Sequence, residues 1–400
     1  MDRIKLHHFI VQLIVVCILL LGMLAWHFPG HALQEEVSSL NYFPSDYSES
    51  RNNFMVAAKM NGGIIESFKC PAVGPQGEEL FIDVAYFGKG DPEAILVLSS
   101  GTHGVEGFAG SAIQNGLLRQ GLVSRLAPEI GLVMIHAINP YGMAHLRRVN
   151  EDNTDLNRNF IDHSKPYPEN EGYSVISDAI TPNSISPWVN ARSFLDIIWF
   201  WLKNGKLKLK EAVSMGQYSF PQGLFYGGQS DAWSNKIMRE IAARFFAQVG
   251  RVVLIDFHTG LGKYGNAEII LNVSKDSSAF KRAVAWWGDG RVKTTFSGES
   301  VSAHLYGTFK LALPQTLPDA EVTAVSLEFG TFSPLRVFWA LRTENWLHFH
   351  GGDGHPESDR IKGQLLRTFY PEDKDWREEV WRQGREIVKQ ALVGLSHSAR

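Results

Sequence analysis

The sequence predicts an α/β fold, a mixed and mostly parallel sheet with helices on both faces, together with an N-terminal apolar helix. Short, continuously apolar runs recur along the chain, and segments with helical periodicity separate them. This alternation is the pattern of strands that are buried on both faces of a sheet. The composition agrees, because 44% apolar and 20% charged residues are typical of an ordinary folded protein.

Five apolar runs are the predicted strands, and four periodic segments are the predicted helices. The strands are Ala94–Ser100, Leu132–Ala137, Arg251–Phe257, Ala267–Asn272 and Val322–Phe329. The helices are Ser48–Met60, Phe108–Arg119, Ser234–Gln248 and the amphipathic Asp373–Leu395. In the weakly patterned stretch between Ser164 and Gln222, the aromatic-rich run Phe194–Leu202 predicts a helix packed on the domain. A second membrane contact is the alternative for this run, which is too short to span a bilayer.

Residues 1–32 predict a signal peptide or a signal anchor. Arg3 and Lys5 precede the uncharged apolar run Phe9–Trp26, and Gly30-His31-Ala32 has the small-x-small form of a cleavage site. Basic residues ahead of such a run predict that the rest of the chain is exported, or membrane-anchored on the non-cytoplasmic side by a single N-terminal anchor. A buried core helix is the alternative interpretation.

A polar linker over residues 33–45 is predicted next, and one folded domain over residues 46–400. The formal net charge of −3 and the lack of a basic block predict that nucleic acid is not a partner. Cys70 is the single cysteine outside the N-terminal run, which excludes a thiolate-rich metal site in the domain. The Gly-x-Ser-x-Gly motif of many serine hydrolases is absent from the sequence. A function must therefore be sought among other polar clusters.

The first polar cluster, Gly101–Gly107, directly follows the predicted strand that ends at Ser100. His103 and Glu106 lie three positions apart in this glycine-rich loop, so both side chains are able to turn onto one metal ion. About one such pair is expected by chance in a chain with 14 histidines. The pair alone is therefore weak support for a metal site.

The second cluster follows the strand that ends at Ala137 and contains Arg148, Asp155, Asn157 and Arg158. A guanidinium fork beside an amide suits the binding of a carboxylate through two parallel hydrogen bonds. A solvated loop is the alternative, because that is the usual environment of a run of charges.

The third and fourth clusters lie at the ends of two later strands. Asp256 and His258 are two positions apart and face the same side of a strand, although a buried core histidine is the alternative for His258. Glu328 stands between Leu327 and Phe329, where an unpaired charge is costly. All four clusters fall at the carboxyl ends of predicted strands, which is where ligands of open α/β sheets bind. We therefore expect the four clusters to converge.

This ordered set of motifs resembles the M14 metallocarboxypeptidase superfamily. The resemblance is carried by His-x-x-Glu after an early strand, Arg followed by Asp-x-Asn-Arg-Asn-Phe, a single later His and a Glu on the final strand. The chain most resembles the DUF2817-type branch and is similar to the succinylglutamate desuccinylase and aspartoacylase group as well. The resemblance covers residues from about 45 to 400 and implies a zinc carboxypeptidase-like catalytic domain.

The resemblance implies a zinc (Zn²⁺) cofactor held by three ligands, namely His103, Glu106 and His258. Two imidazoles, one carboxylate and an open fourth position are also the ligand set of a catalytic zinc. Glu328 matches the general base of the family. Asp155 matches the carboxylate that orients the first histidine ligand, and Asp256 is placed to orient a histidine in the same way.

The remaining matches concern the substrate. Arg148 matches the arginine that stabilises the oxyanion, and Asn157 with Arg158 matches the pair that binds a terminal carboxylate. Tyr306 is a weaker match to a mobile tyrosine over the site; a core aromatic is the alternative.

The implied function is carboxypeptidase-like hydrolysis of an amide bond adjacent to a free carboxylate, by Glu-assisted attack of zinc-bound water. The substrate is expected to be a small peptide. An N-acyl-amino-acid deacylase with the same site is an alternative. A non-catalytic, membrane-tethered binding protein is a further alternative, which is disfavoured because no ligand and no base is missing from the sequence.

Overall fold

The computed structural model describes residues 39–296, 300–301 and 305–397. The predicted N-terminal apolar helix and the segment 1–32 lie outside the described residues. Across the described part of the chain, no helix combines the length and the apolar character needed to cross a membrane. A compact unit begins at Tyr42. The linker predicted over residues 33–45 overlaps this unit, because Tyr42 and Phe43 are buried in its core.

One sheet of eight strands forms the centre of the described structure. The strands are β1 Ile64–Val73, β2 Glu79–Phe87, β3 Ala94–Ser100, β4 Ile130–His136, β5 Arg251–Gly260, β6 Ala267–Leu271, β7 Val292–Thr294 and β8 Glu321–Gly330. Their order in the sheet is β1-β2-β4-β3-β5-β8-β6-β7. The central strands β4, β3, β5 and β8 are parallel, whereas β1, β2 and β6 pair antiparallel with their neighbours β2, β4 and β8. The mixed, mostly parallel sheet is therefore confirmed.

The five predicted strands correspond to β3, β4, β5, β6 and β8, with ends that differ by a few residues. Strands β1, β2 and β7 were not predicted. In the parallel register, Ser99 pairs with Asp256, and His258 pairs with Glu328. Because paired residues face the same side of a sheet, Asp256, His258 and Glu328 project from one face at the carboxyl ends of β5 and β8.

Twelve α-helices surround the sheet within the described residues. They are α1 Tyr47–Met60, α2 Gly107–Arg119, α3 Pro140–Ala144, α4 Leu156–Asn159, α5 Glu171–Ile180, α6 Pro187–Ser214, α7 Trp233–Phe245, α8 Ser278–Trp287, α9 Phe309–Thr316, α10 Pro334–His350, α11 Ser358–Phe369 and α12 Lys374–His397. The four predicted helices are α1, α2, α7 and α12, again with small differences at the ends.

The helices pack on both faces of the sheet, as predicted. One buried apolar cluster joins the sheet to α1, α2, α8 and α12, for example through Phe54, Phe108 and Trp376. A second cluster joins the opposite face to α7 and α9 through side chains such as Met238 and Leu313. The strands therefore bury both of their faces, which explains their continuously apolar sequences.

A third apolar cluster belongs to helices α5, α6, α10 and α11 and includes Val105 from the loop after β3. The run Phe194–Leu202 does form a helix, within α6. Its packing differs from the prediction, because Leu195, Trp199 and Leu202 are exposed and Phe200 is the one buried member of the run. Most of this aromatic-rich run therefore faces away from the core.

Candidate metal centre

The loop after β3 turns His103 and Glu106 towards the same point. Gly101 has a φ of +74°, and a short 3₁₀ turn over Gly104–Glu106 follows His103. The backbone N–H of Val105 donates to the carbonyl of Arg147 at 2.9 Å, which ties the loop to the chain segment after α3. A glycine is required at position 104, since a Cβ there would lie 2.0 Å from the carbonyl carbon of Gly142.

His103, Glu106 and His258 converge. Each offers a nitrogen or oxygen atom within 4.8 Å of the other two, and all three side chains are buried. The Nδ1 atom of His103 lies 3.0 Å from Glu106 Oε1, and the Nδ1 atom of His258 lies 3.0 Å from Glu106 Oε2. Glu106 and His258 are 152 positions apart along the chain. The sheet therefore brings together the three residues that the sequence analysis singled out.

The far nitrogens of both imidazoles face buried carboxylates. His103 Nε2 lies 3.2 Å from Asp155 Oδ1, and His258 Nε2 lies 2.6 Å from Asp256 Oδ2. Such a carboxylate fixes the ring and favours the tautomer with the proton on Nε2, which leaves Nδ1 free to act as a ligand. Asp155 and Asp256 thus occupy the positions expected of residues that orient histidine ligands.

The donor atoms at this centre fit a divalent cation. His103 Nδ1 is buried and has no hydrogen-bond partner among the described residues, although Glu106 Oε1 is close to it. An imidazole nitrogen left without a partner in a buried site is costly, and a metal ion would satisfy it. Two imidazole nitrogens with one carboxylate suit zinc better than calcium or magnesium, which prefer oxygen ligands.

The charges at the centre depend on one another. Burial alone would raise the pKa of Glu106, but the charges of His103 and Arg148 outweigh it and hold that pKa below its usual value. Burial opposes a charge on His258, yet Asp256 and Glu106 raise its pKa to about 10. Without a cation, His258 is therefore protonated at neutral pH.

Arg148 contacts the ligands themselves. Its Nη1 donates to Glu106 Oε1 at 2.5 Å, and its Nε donates to Asp155 Oδ2 at 3.2 Å. Its Nη2 lies 2.8 Å from His103 Nε2. If His103 Nε2 carries a proton for Asp155, two donors face each other at this contact. The tautomer that leaves Nδ1 free for a metal is therefore incompatible with a hydrogen bond from Arg148 Nη2 to His103 Nε2.

Glu328 lies next to His258 across the β5–β8 pair and is mostly buried. Its Oε1 accepts a hydrogen bond from the backbone N–H of Leu261 at 3.1 Å. Burial, and after it the negative charge of Glu106, raises the pKa of Glu328 to about 7. A carboxyl group with such a pKa is able both to accept and to return a proton near neutral pH.

Asn157 and Arg158 lie on α4, whose N-terminus is capped by Asp155. Asn157 Nδ2 is 3.5 Å from His258 Nε2. Arg158 is buried, and its guanidinium donates to Asp155 Oδ1, to the carbonyl of Asn157 and to the carbonyl of Ser214. Its Nε has no acceptor among the described residues. The two predicted substrate-binding residues therefore lie beside the metal centre.

Tyr306 is half-exposed. The adjacent Gly307 packs on the backbone of Arg158, where a Cβ would lie 2.3 Å from the carbonyl oxygen. Tyr306 is thus the sequence neighbour of a residue that packs on Arg158, and it is not a core aromatic.

Four contributors to the site were not predicted. Phe225, with a φ of +57°, lies 5.6 Å from the guanidinium carbons of both Arg148 and Arg158. Thr102 donates to Asp256, as does Ser99. Lys310 is buried with its Nζ 2.9 Å from Ser326 Oγ, and burial lowers its pKa to about 8. The adjacent aromatic residues Phe225 and Tyr226, with glycines on both sides, were the one available signal for the first of these.

The fold and the site define an α/β protein with a buried His-Glu-His centre at the carboxyl edge of its sheet. The chain belongs to the DUF2817 family, described as proteins of unknown function, whose sequence pattern matches residues 43–383. A comparison with curated proteins finds no match.

Solved structures that are similar to this chain include the following three proteins. Carboxypeptidase A from Helicoverpa armigera is 13% identical, with 85% of this chain and 73% of that chain covered and a TM-score of 0.42. Bovine thrombin-activatable fibrinolysis inhibitor is 12% identical, with 82% and 97% covered and a TM-score of 0.42. An aspartoacylase family protein from Mesorhizobium loti is 14% identical, with 72% and 66% covered and a TM-score of 0.36.

Proposed function

We propose that this chain is a zinc-dependent hydrolase that cleaves an amide bond adjacent to a free carboxylate. The observation that carries the proposal is the convergence of His103, Glu106 and His258 within 4.8 Å, next to a carboxyl group with a pKa of about 7 on Glu328. A purely structural zinc site has four protein ligands, whereas three ligands leave a position for water or substrate.

His103 Nδ1, His258 Nδ1 and the Glu106 carboxylate would hold the ion. When bound, zinc supplies Lewis acidity towards a carbonyl oxygen and lowers the pKa of water to about 7. Asp155 and Asp256 keep the two rings oriented and balance the added positive charge. Because all five groups are buried, their interactions are little screened by solvent.

Glu328 is the proposed general base and acid. It would take the proton from the attacking water and deliver it to the leaving nitrogen, so its pKa must allow both steps. The hydrogen bond from Leu261 N–H holds one carboxyl oxygen in place. Arg148, released from Glu106 and from His103, would donate to the oxygen that becomes negative, a contribution of about 3 kcal/mol for one well-placed donor.

Arg158 supports the requirement for a free carboxylate. Three of its N–H groups reach Asp155, Asn157 and Ser214, while Nε and one N–H of Nη2 have no acceptor within the described structure. Nε and Nη2 form the side of a guanidinium that binds a carboxylate through two parallel hydrogen bonds. A substrate carboxylate is the group that would complete this arrangement.

The test uses two variants, Glu328→Gln and Arg158→Lys, and peptides with either a free or an amidated carboxyl terminus. The Glu328→Gln variant should keep its zinc and lose hydrolysis by about 10²-fold or more, because a glutamine amide neither takes up nor releases a proton near neutral pH. Arg158→Lys should weaken hydrolysis of peptides with a free carboxyl terminus more than hydrolysis of the same peptides as amides. Undiminished turnover by Glu328→Gln would refute the assignment of the base. Equal losses on both substrates would remove the role of Arg158.

A further inference from the structure

The first half of α6 carries a stripe of apolar side chains on its outward face. This apolar stripe consists of Trp188, Leu195, Trp199 and Leu202, which are 82%, 63%, 56% and 73% exposed. Their spacings of seven, four and three positions place all four on one side of a helix. Isolated exposed apolar residues are ordinary, but a contiguous stripe with two tryptophans marks an interaction surface.

The opposite side of the same helix is the side that packs on the protein. Ser193 and Phe200 are buried, and Phe200 belongs to the apolar cluster of α5, α10 and α11. Ser193 accepts a hydrogen bond from the buried guanidinium of Arg342 at 2.9 Å. The helix is therefore fixed in its rotation about its own axis, and the apolar stripe is held away from the core.

Basic residues lie within and after the apolar stripe along α6, three of them beyond the non-helical Gly205. Helix α6 contains five basic residues against Asp196 and Glu211, a net charge of +3, in a chain whose net charge is −3. The basic residues are Arg192, Lys203, Lys206, Lys208 and Lys210, of which Lys210 is partly buried and donates to the carbonyl of Ser300. Lys203 Nζ lies 4.9 Å from the centre of the Trp199 ring, so apolar and cationic groups are next to each other.

We propose that α6 docks on an anionic lipid surface, with the apolar stripe at the boundary between headgroups and acyl chains. Tryptophan prefers this boundary because its ring is amphipathic. Lysines extend their apolar stems from a lipid-embedded helix face and place their ammonium groups at the lipid phosphates. A second copy of the chain is a poorer occupant, because pairing two such faces would bring two net charges of +3 together.

The docking surface connects to the candidate metal centre. The last residue of α6, Ser214, accepts a hydrogen bond from Arg158 Nη2 at 2.7 Å. The thirteen residues from Leu202 to Ser214 span roughly 20 Å, judged from the rise per residue of a helix and the non-helical Gly205. Docking would therefore hold the metal centre near the lipid surface. The proposal goes beyond the proposed hydrolase function and does not depend on it.

The test places an environment-sensitive nitrobenzoxadiazole probe on the full chain. Cys17→Ser removes the N-terminal cysteine, and Cys70 is buried and unlabelled. The probe is attached through Leu202→Cys, or through Met60→Cys as the control, because Met60, at the end of α1, is also highly exposed. Both labelled proteins keep residues 1–38, so binding of that segment to the vesicles would affect the two probes alike.

With vesicles of phosphatidylcholine and phosphatidylglycerol, the emission of the probe at position 202 should shift to the blue and be quenched by brominated acyl chains. The probe at the control position 60 should keep the emission of a probe that is surrounded by water. Reversing Lys203, Lys206 and Lys208 to Glu should weaken partitioning by at least about tenfold. An unchanged probe at 202, equal changes at both positions, or a blue shift on concentrating the protein without lipid would overturn the proposal. The last result would indicate a second copy as the occupant.

Discussion

At the residue scale, Asp155 organises the candidate centre. It is fully buried and lies within hydrogen-bond reach of His103, Arg148 and Arg158. Burial would raise the pKa of Asp155, but the charges of Arg158 and Arg148 outweigh it and hold the pKa well below its usual value. One ionised carboxylate thus orients a proposed metal ligand, the proposed oxyanion donor and the proposed carboxylate-binding residue.

Zinc binding should release a proton from His258. Because its pKa is raised to about 10 in the metal-free protein, the ring is charged at neutral pH, whereas a metal ligand must be a neutral imidazole. Calorimetric titration with zinc in buffers of different ionisation enthalpy should show that about one proton leaves this ring near neutral pH. The number of protons released should fall as the pH rises past about 10, because the ring is then already neutral. Binding enthalpies that are independent of the buffer would contradict this account.

The identities of the converging residues could be predicted from the sequence, but their contacts could not. His103 and Glu106 follow β3, and His258 and Glu328 lie near the carboxyl ends of β5 and β8. The common edge of the sheet was therefore enough to bring them together. The contact of Arg148 with Glu106 depends on side-chain geometry across a loop, which no spacing in the sequence specifies.

At the element scale, the site depends on how the loop after β3 packs on helix α3. Gly104 and Gly142 are in backbone contact, and Gly104 N–H donates to the carbonyl of Arg148 at 3.1 Å. Since Gly104 lies between His103 and Glu106, any displacement of this contact moves two proposed ligands at once.

Gly104→Ala should therefore reduce both stability and metal affinity. A Cβ 2.0 Å from a backbone carbon cannot be accommodated by a side-chain rotation, and overpacking of this kind costs about 2–3 kcal/mol. Urea unfolding and zinc titration measure the two effects. Gly290→Ala is the matched control, because a Cβ there meets no atom within 4 Å. Equal behaviour of the two variants would show that the contact is unimportant.

The strands that were predicted are those with continuously apolar sequences. All seven residues of β3 and of β4 are buried, so these strands stand out in the sequence. Strand β2 contains Asp83, whose charge is matched by Arg51 on α1, and this partner cannot be recognised from the sequence alone. Strand β1 forms an edge of the sheet and keeps polar residues such as Glu66 and Lys69. Such mixed sequences give no clear strand signal.

At the scale of the whole molecule, a buried ion pair joins distant parts of the chain. Arg147 follows β4, Glu344 lies on α10, and their side chains meet at 2.7 Å with almost no exposure. Arg147, the sequence neighbour of the proposed oxyanion donor Arg148, is thus anchored to helix α10.

Glu344→Gln should destabilise the protein by about 3 kcal/mol, because the charge of Arg147 would stay buried without its carboxylate. Glu379→Gln, which breaks an exposed pair with Arg382, should cost less than about 1 kcal/mol. Denaturant unfolding of both variants provides the comparison. A cost for Glu344→Gln no larger than that of the control would mean that the buried pair does not hold these layers together.

The central claim is that His103, Glu106 and His258 bind one divalent cation. The most direct test is the zinc content of the purified full chain after zinc loading and removal of excess metal. We expect about one ion per chain in the unaltered protein and in Glu328→Gln, and loss of the ion in His258→Ala. Full zinc content in a folded His258→Ala variant, or no zinc in the unaltered protein, would contradict the claim.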